Sequence, residues 1–259
     1  MRMKKILLLL LTITFGVSCS NDDDTEGREV TKLKSEKIIA DYINEYGEQV
    51  KYESIYEYSY GANGFVEVIK NTRTNPNSTT ETNEYLYYEG NKVVRRKYKQ
   101  MSTSKNEIEE TYTYENDLIV EATYKLPDYI SKNKYYYDSS KNLIKDEYYY
   151  SNNDMEFILD FVIEYQYKDG NVSKQQFSSN PFDKIITSTY EYDDKNISKS
   201  NIFPVAFQKI TYTSKNNIVK VKNEESGEIV EYNYEYNSKG FPIKATYDNG
   251  HMTALFEYY

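Results

Sequence analysis

The chain has 259 residues, 41 acidic against 32 basic, with one cysteine, one histidine, 31 tyrosines and no tryptophan. A net charge of −9 argues against nucleic acid, which is held mainly by neutralising phosphates, and against adhesion to anionic lipid. A single cysteine excludes an intramolecular disulfide, and a single histidine leaves one imidazole for any triad or metal site, so no cofactor or metal is expected.

In chain order, residues 1–18 come first. Arg2, Lys4 and Lys5 precede an apolar run from Ile6 to Val17 that is too short to span a bilayer comfortably, the layout of a secretory signal. The following Gly16-Val17-Ser18-Cys19 resembles the lipobox of bacterial lipoproteins, in which the cysteine becomes the lipidated N-terminus; Cys19 is the predicted lipidation site. Several acyl chains on one residue would anchor the protein stably in a membrane. Loss of the three basic residues with the signal moves the net charge from −9 to −12. Residues 19–29, with "SNDDDTEG", read as an acidic solvated tether. They resemble the acidic export signal of surface-exposed lipoproteins of the Bacteroidota type, which implies the outer membrane, lipid-anchored and facing the cell exterior.

Residues 30–259 read as a single repeat-built β domain. Aligned on tyrosine, turn and apolar residue, the phrases are "YINEYGEQV" (42–50), "YEYSYGANGFV" (56–66), "YLYYEGNKVV" (85–94), "YTYENDLIV" (112–120), "YYYDSSKNLIK" (135–145), "YQYKDGNVSK" (165–174), "YEYDDKNISK" (190–199), "YTSKNNIVK" (212–220) and "YNYEYNSKGFPIK" (232–244). Tyr-x-Tyr places both rings on one face of an extended strand, while Glu57, Ser59, Thr113, Gln166, Glu191 and Asn233 give a polar opposite face. The Asp/Asn/Gly/Lys cluster that follows is hairpin-turn chemistry. Leu143, Val172, Ile197, Ile218 and Phe241 are read as restarting a strand. "KIIADYINEY" also has helical spacing, but its overlap with the repeat phrase favours a strand. Two strands per phrase predict an all-β, antiparallel up-and-down meander of roughly 16–18 short strands, by this repeat count. Such a sheet closes, or nearly closes, into a barrel or wrapped sheet, because closure removes its edges.

"YGANGFVEVIKN", "YDSSKNLIKDEYYY" and "YNSKGFPIKATY" resemble the tyrosine-aspartate (YD) repeats of the Rhs family. A lipoprotein signal followed by such repeats is more similar to a family of exported Bacteroidota-type lipoproteins with a porin-like domain. That resemblance covers most of residues 30–259. It implies a β-meander barrel and brings no catalytic residue with it.

Three functional classes follow. The first is a non-enzymatic binding or structural module for a glycan or protein ligand, with the aromatic face as its contact surface; the candidate residues are Tyr58, Tyr87, Tyr114, Tyr137, Tyr167, Tyr192 and Tyr236. The second is a glycoside-active enzyme with a carboxylate pair in the lumen. Adjacent acids such as Glu109-Glu110, Asp193-Asp194 and Glu224-Glu225 face opposite ways on a strand, so such a pair must come from separate strands. The third is a transmembrane barrel, for which the last strand "HMTALFEYY" has a suitable alternation. That class needs an apolar outer band, and a mean hydropathy of −0.82 speaks against one. The basic stretch "KVVRRKYK" (92–99) reads as a solvated strand with Arg95 and Lys97 on the face away from Arg96. His251, in "YDNGHM", reads as a turn residue.

Overall fold

The computed structural model describes residues 31–43, 47–100, 107–126, 129–152, 156–179, 184–247 and 250–259. The signal, Cys19 and the acidic tether lie outside the described residues. Sixteen strands follow in order: β1 (Leu33–Ile43), β2 (Gln49–Tyr60), β3 (Val66–Asn75), β4 (Ser78–Glu89), β5 (Lys92–Gln100), β6 (Ile108–Glu115), β7 (Leu118–Leu126), β8 (Tyr129–Tyr137), β9 (Leu143–Asn152), β10 (Ile158–Lys168), β11 (Asn171–Ser179), β12 (Lys184–Asn196), β13 (Asn216–Asn223), β14 (Ile229–Tyr236), β15 (Pro242–Tyr247) and β16 (Met252–Tyr258). One short helix, α1 (Val205–Thr211), lies between β12 and β13. Every strand pairs antiparallel with its neighbours in sequence, and β16 pairs with β1, so the meander closes into a barrel as expected. The stretch 38–43 is strand, not helix.

The Tyr-turn-apolar phrases build one end of this barrel. Asn116-Asp117 and Asp169-Gly170 take positive φ at both positions, the two-residue turn whose twist matches a hairpin. Gly61, Asp138 and Asn237 each open a wider turn, closed by the bonds from Gly64 N, Lys141 N and Gly240 N at 3.0 Å. At the left-handed position of those three turns two residues are glycine, Gly64 and Gly240, and the third is Lys141, at φ 62°. A side chain there is strained by about 1 kcal/mol relative to glycine. Lys141→Gly is therefore expected to raise stability by a few tenths of a kcal/mol after the extra unfolded-chain entropy of glycine, measurable as a higher urea midpoint.

Beside each of the six hairpin turns at this end the return strand carries one extra residue, at Glu67, Val94, Val120, Ile144, Ser173 and Ile243; Val219 does the same where β13 returns after its long connection, and Lys34 where β1 meets β16. Such bulges bend a strand and increase its twist, as closure requires. They also shift which residues face inward. The first apolar residue of the return strand (Leu33, Val66, Val93, Ile119, Leu143, Val172) is buried. The next inward residue then comes three positions later rather than two.

A tyrosine near the end of six of the strands has a separate task. Register between β1 and β2 begins at Ser35, between β3 and β4 at Val68, between β5 and β6 at Arg95, and between β7 and β8 at Glu121. The carbonyl of the first apolar residue thus juts beyond the paired part of the next strand. A tyrosine hydroxyl reaches back to it: Tyr60 to Leu33 O at 2.6 Å, Tyr114 to Val93 O at 2.9 Å, Tyr137 to Ile119 O at 2.7 Å, Tyr167 to Leu143 O at 3.0 Å and Tyr258 to Pro242 O at 2.7 Å. Tyr88 donates to Val66 O in the same way. Each bond is worth about 1 kcal/mol net. Tyr88→Phe and Tyr167→Phe are expected each to lower unfolding free energy by about that amount and, being on distant strands, to add when combined. A urea titration of the two single variants and the double variant checks this.

One phrase departs from the pattern. Ile197 was expected to restart a strand after "YEYDDKN", but β12 runs on to Asn196 and Ile197 opens a connection that returns to the wall only at Asn216. The reason is packing: Ile197, Ile202, Phe203 and Phe207 are all buried, and the segment folds over the tight-turn end. Phe207 meets Tyr112 edge-on at 5.4 Å, Phe203 lies 5.3 Å from Phe207, and Ile202 O accepts the Val66 N–H at 2.9 Å. Tyr212, read as a strand tyrosine, belongs to this plug, its ring 6.2 Å from that of Phe203. Phe241 similarly ends its turn, and Pro242 starts the strand.

Candidate functional site

With one end plugged, the chemistry that matters is inside the barrel. The inward residue after each bulge forms a ring: Glu36, Ile69, Arg96, Ala122, Asp146, Gln175, Val221 and Ala245. Each faces a tyrosine or its apolar equivalent across the pair, as Ile69 faces Tyr58, Ala122 faces Tyr112 and Asp146 faces Tyr135. Four of the eight are polar. A wall of sixteen strands separates them from the outside, yet Arg96 keeps 24% of its side-chain surface accessible. That surface faces the lumen, so the interior is not closely packed around the Arg96 guanidinium.

Two ion clusters sit in it. Near the plug, Lys199 Nζ is 2.7 Å from Glu36 Oε2, with the pair 13% and 3% exposed, and the Tyr58 hydroxyl donates to the same oxygen at 3.2 Å. Burial alone would depress the Lys199 ammonium, but the Glu36 carboxylate outweighs it and holds it well above the ordinary lysine value. Further round, the Arg96 guanidinium grips Glu84 with two contacts, at 2.6 and 2.9 Å, and stands 3.6 Å from Glu110. Its planar fork also lies 4.4 Å from the Tyr98 ring centroid, while Tyr112 donates to Glu110 at 2.6 Å. The basic stretch 92–99 therefore splits as expected, with Arg95 and Lys97 outside paired to Glu109, but its inward member Arg96 is an organising charge of the lumen rather than part of a solvated face.

Among the described residues Asp146 has no such counter-charge. Burial raises its carboxyl to about 6, and Asn133 Nδ2 hydrogen bonds of 2.9 and 3.1 Å to its two oxygens only partly offset that. Its chain neighbour Glu147 faces outward. There burial is outweighed by bonds from Lys145, Tyr136 and Tyr149 (2.7, 2.6 and 2.8 Å), which pull it down to about 2.

Toward the end opposite the plug, the inner wall is aromatic. Tyr148 stacks on Phe161 at 4.6 Å and 6°, Phe161 lies 5.3 Å from Phe177, and Tyr129 stacks with Tyr150 at 6.4 Å. All five rings are half-buried. Arg73 covers Tyr52 at 4.2 Å on the far side of the sheet order.

The candidate tyrosines fall elsewhere. Tyr114, Tyr137 and Tyr167 are among the hydroxyl ties at the plugged end. Tyr58 is buried against Glu36, Tyr192 bonds Ser214 Oγ at 2.8 Å, and Tyr236 donates to Asp193. Tyr87 is on the outer wall under Arg95, 4.2 Å from its guanidinium. The lumenal residues Glu36, Glu84, Arg96, Glu110 and Asp146 were not singled out for the lumen. The only signal for three of them was the i, i+3 spacing after Leu33, Val93 and Leu143.

The outside of the barrel carries ion pairs interspersed with single exposed apolar side chains, among them Ile144, Ile185, Ile243 and Leu255. Lys37–Glu53 (2.6 Å), Lys132–Glu121 (3.2 Å), Lys220–Glu191 (3.1 Å) and Lys244–Glu235 (2.7 Å) are cross-strand ion pairs on four different sectors. Among the described residues no group of three or more His, Cys, Asp or Glu side chains is placed to hold a metal ion.

No family model and no curated protein matches the chain. Among solved structures, a porin-like protein from Bacteroides uniformis ATCC 8492 is similar, with a TM-score of 0.59 at 12% identity over 88% of this chain and 98% of that one. A porin-like protein from Bacteroides vulgatus ATCC 8482 aligns over 89% of this chain and 99% of that one at 11% identity, with a TM-score of 0.36. The first likeness gives this chain a porin-like fold; the second superposes too loosely to add to it.

Proposed function

We propose that this is an exported lipoprotein, held at the outer membrane and facing out through acyl chains on Cys19, whose barrel is a non-catalytic glycan-binding cup. The observation that carries the reading is the combination of a plugged end with a polar and aromatic lumen. β1 begins at Leu33 on the plugged end, beside the C-terminal Tyr258. A tether from Cys19 therefore joins that end to the membrane, with a reach of about 40 Å if extended, and the aromatic end points away.

The ion-paired exterior supports a water-facing wall and speaks against the transmembrane barrel, which needs an apolar band. Glycoside hydrolysis needs two carboxylates at a set separation. Glu84 and Glu110 are engaged by the Arg96 guanidinium and Glu36 by Lys199, which leaves the raised carboxyl of Asp146 without a free partner among the lumenal acids described above and supports binding rather than hydrolysis. A concave lumen suits a glycan better than a protein surface, and the acidic chain disfavours nucleic acid.

Acyl-chain labelling of the wild type and of Cys19→Ala, combined with protease treatment of intact cells, tests the placement. Label on the wild type only, with cleavage on intact cells, is expected. An unlabelled wild type removes the anchor, and full protection from protease removes the outward display.

A further inference from the structure

One arc of the lumen, from β8 to β12, has hydrogen-bonding capacity that the protein leaves unspent. Asp146 on β9 stands across from Tyr135 on β8. Its partner on β10 is Ile163, two residues from Tyr165 and so on the same face. Tyr165 in turn stands across from Gln175 on β11. Within the pairs Tyr135–Asp146 and Tyr165–Gln175 the Cβ atoms are about 5 Å apart, and Asp146 and Tyr165 are diagonal neighbours at about 7–8 Å, so the four groups line one arc of the inner wall. Asn133 donates to Asp146, and the Tyr190 hydroxyl donates to Gln175 Oε1 at 2.9 Å. Among the described residues nothing accepts the Tyr135 or Tyr165 hydroxyl protons or the Gln175 amide protons, and no cation pairs with Asp146. All four groups keep accessible surface. Directly above this layer, toward the unplugged end, lies the shelf of Tyr148, Phe161 and Phe177.

We propose that this arc binds one neutral saccharide unit, whose hydroxyls donate to Asp146 and accept from Tyr135, Tyr165 and Gln175 while an apolar face of the sugar ring rests on the aromatic shelf. The complement of groups selects that class. A sugar hydroxyl both donates and accepts, which an arc of one acceptor carboxylate and three unspent donors requires. An acidic sugar or a phosphate would set its charge against Asp146 with no cation in this arc, among the described residues, to offset it: Arg96 is engaged by Glu84, and Arg73 lies over Tyr52 on the far side of the barrel. An amine would satisfy Asp146 but present donors to the tyrosine and glutamine donors. The shelf adds the apolar contact typical of concave ligand sites. This inference rests on the reading of the lumen as a binding cup.

The test is calorimetric titration of the full chain in detergent with maltose, cellobiose and lactose, and with galacturonic acid as the anionic comparison. Binding of at least one neutral disaccharide is expected. Asp146→Asn should weaken it about 10- to 100-fold and Tyr165→Phe about 3- to 10-fold, the sizes of a charged and a neutral hydrogen bond. The outward Glu147→Gln should leave it unchanged. Retained near-ultraviolet circular dichroism in each variant separates loss of binding from loss of fold. Neutral disaccharides that bind equally to wild type, Asp146→Asn and Tyr165→Phe would overturn this arc and leave the cup in place. Binding of galacturonic acid alone would overturn the neutral-sugar chemistry. Entry of no saccharide of either charge would overturn both readings.

Discussion

Lys199→Met is expected to destabilise the barrel by about 3–5 kcal/mol, the usual effect of removing one partner from a buried ion pair. Glu36 would remain on the inner wall with 3% of its surface exposed, its charge facing Tyr58 and no ammonium. Water cannot readily solvate it there, because the plug residues Ile202 and Phe203 are buried. The loss should also fall mainly on the plug, since Lys199 is that segment's ionic tie to β1. Adding Glu36→Gln should regain most of the deficit. It removes the stranded charge and keeps an oxygen for the Tyr58 hydroxyl, and neutral replacement of a whole buried pair is often close to harmless. Urea unfolding of the two single variants and the double variant decides it. A Lys199→Met protein within about 0.5 kcal/mol of wild type would mean that the pair is solvated and the plug seated by its apolar contacts alone.

Asp146→Asn is expected to act in the opposite direction and only above mildly acidic pH. The Asp146 carboxyl holds its proton to about 6 in the folded barrel, against 3.8 for an unperturbed aspartate. Between those values the folded state binds more protons than the unfolded chain. Stability from this group is therefore greatest below about pH 4, and it declines as pH rises to about 6, by about 3 kcal/mol at most. The amide has nothing to ionise, so the variant should match wild type near pH 4 and exceed it by about 1–3 kcal/mol at pH 7.5. Glu147 gives the contrary slope: with its carboxyl held down to about 2, the stability it contributes is complete above about 4.5 and is lost on further acidification. Two carboxylates adjacent in the chain thus oppose each other because one faces the lumen and the other the solvent. Urea midpoints at pH 4, 5, 6 and 7.5 measure the difference. A gap between variant and wild type that is the same at every pH would show that the effect is packing and not ionisation.

The architecture was legible because tyrosine spacing and turn residues act locally. Tyr112-Thr113-Tyr114 followed by Asn116-Asp117 can do little other than make a strand and a two-residue turn. Sixteen strands then follow by counting, and closure follows from the energetics of edges. The lumen was far less legible. A bulge is a single unpaired residue such as Val94 or Ile144, and nothing in the composition of "KVVRRK" or "NLIKDE" distinguishes it from a regular strand. Yet that one residue decides whether Arg96 and Asp146 face inward or out. The plug was missed for another reason. "YEYDDKNISK" and "YTSKNNIVK" each match the repeat locally, and only burial of the intervening Ile202, Phe203 and Phe207 reveals that together they frame one long connection. Tyrosines such as Tyr137 and Tyr167 drew attention as binding groups because sequence shows a ring and a hydroxyl but not the stagger that leaves a carbonyl for the hydroxyl to meet.

The pairing of β16 with β1 has the same one-residue irregularity as the six hairpins at the plugged end, and Tyr259 N donates to Lys32 O at 3.0 Å where the first and last strands meet. In effect the meeting of β16 and β1 is a seventh such hairpin that lacks its peptide link. Supplying that link with a short Asn-Gly turn between Tyr259 and Lys32, and cutting the chain at Asn116-Asp117, should yield a circularly permuted barrel with the same strand neighbours. Which hairpin is left open is then a matter of where translation starts, and the ring itself has no first strand.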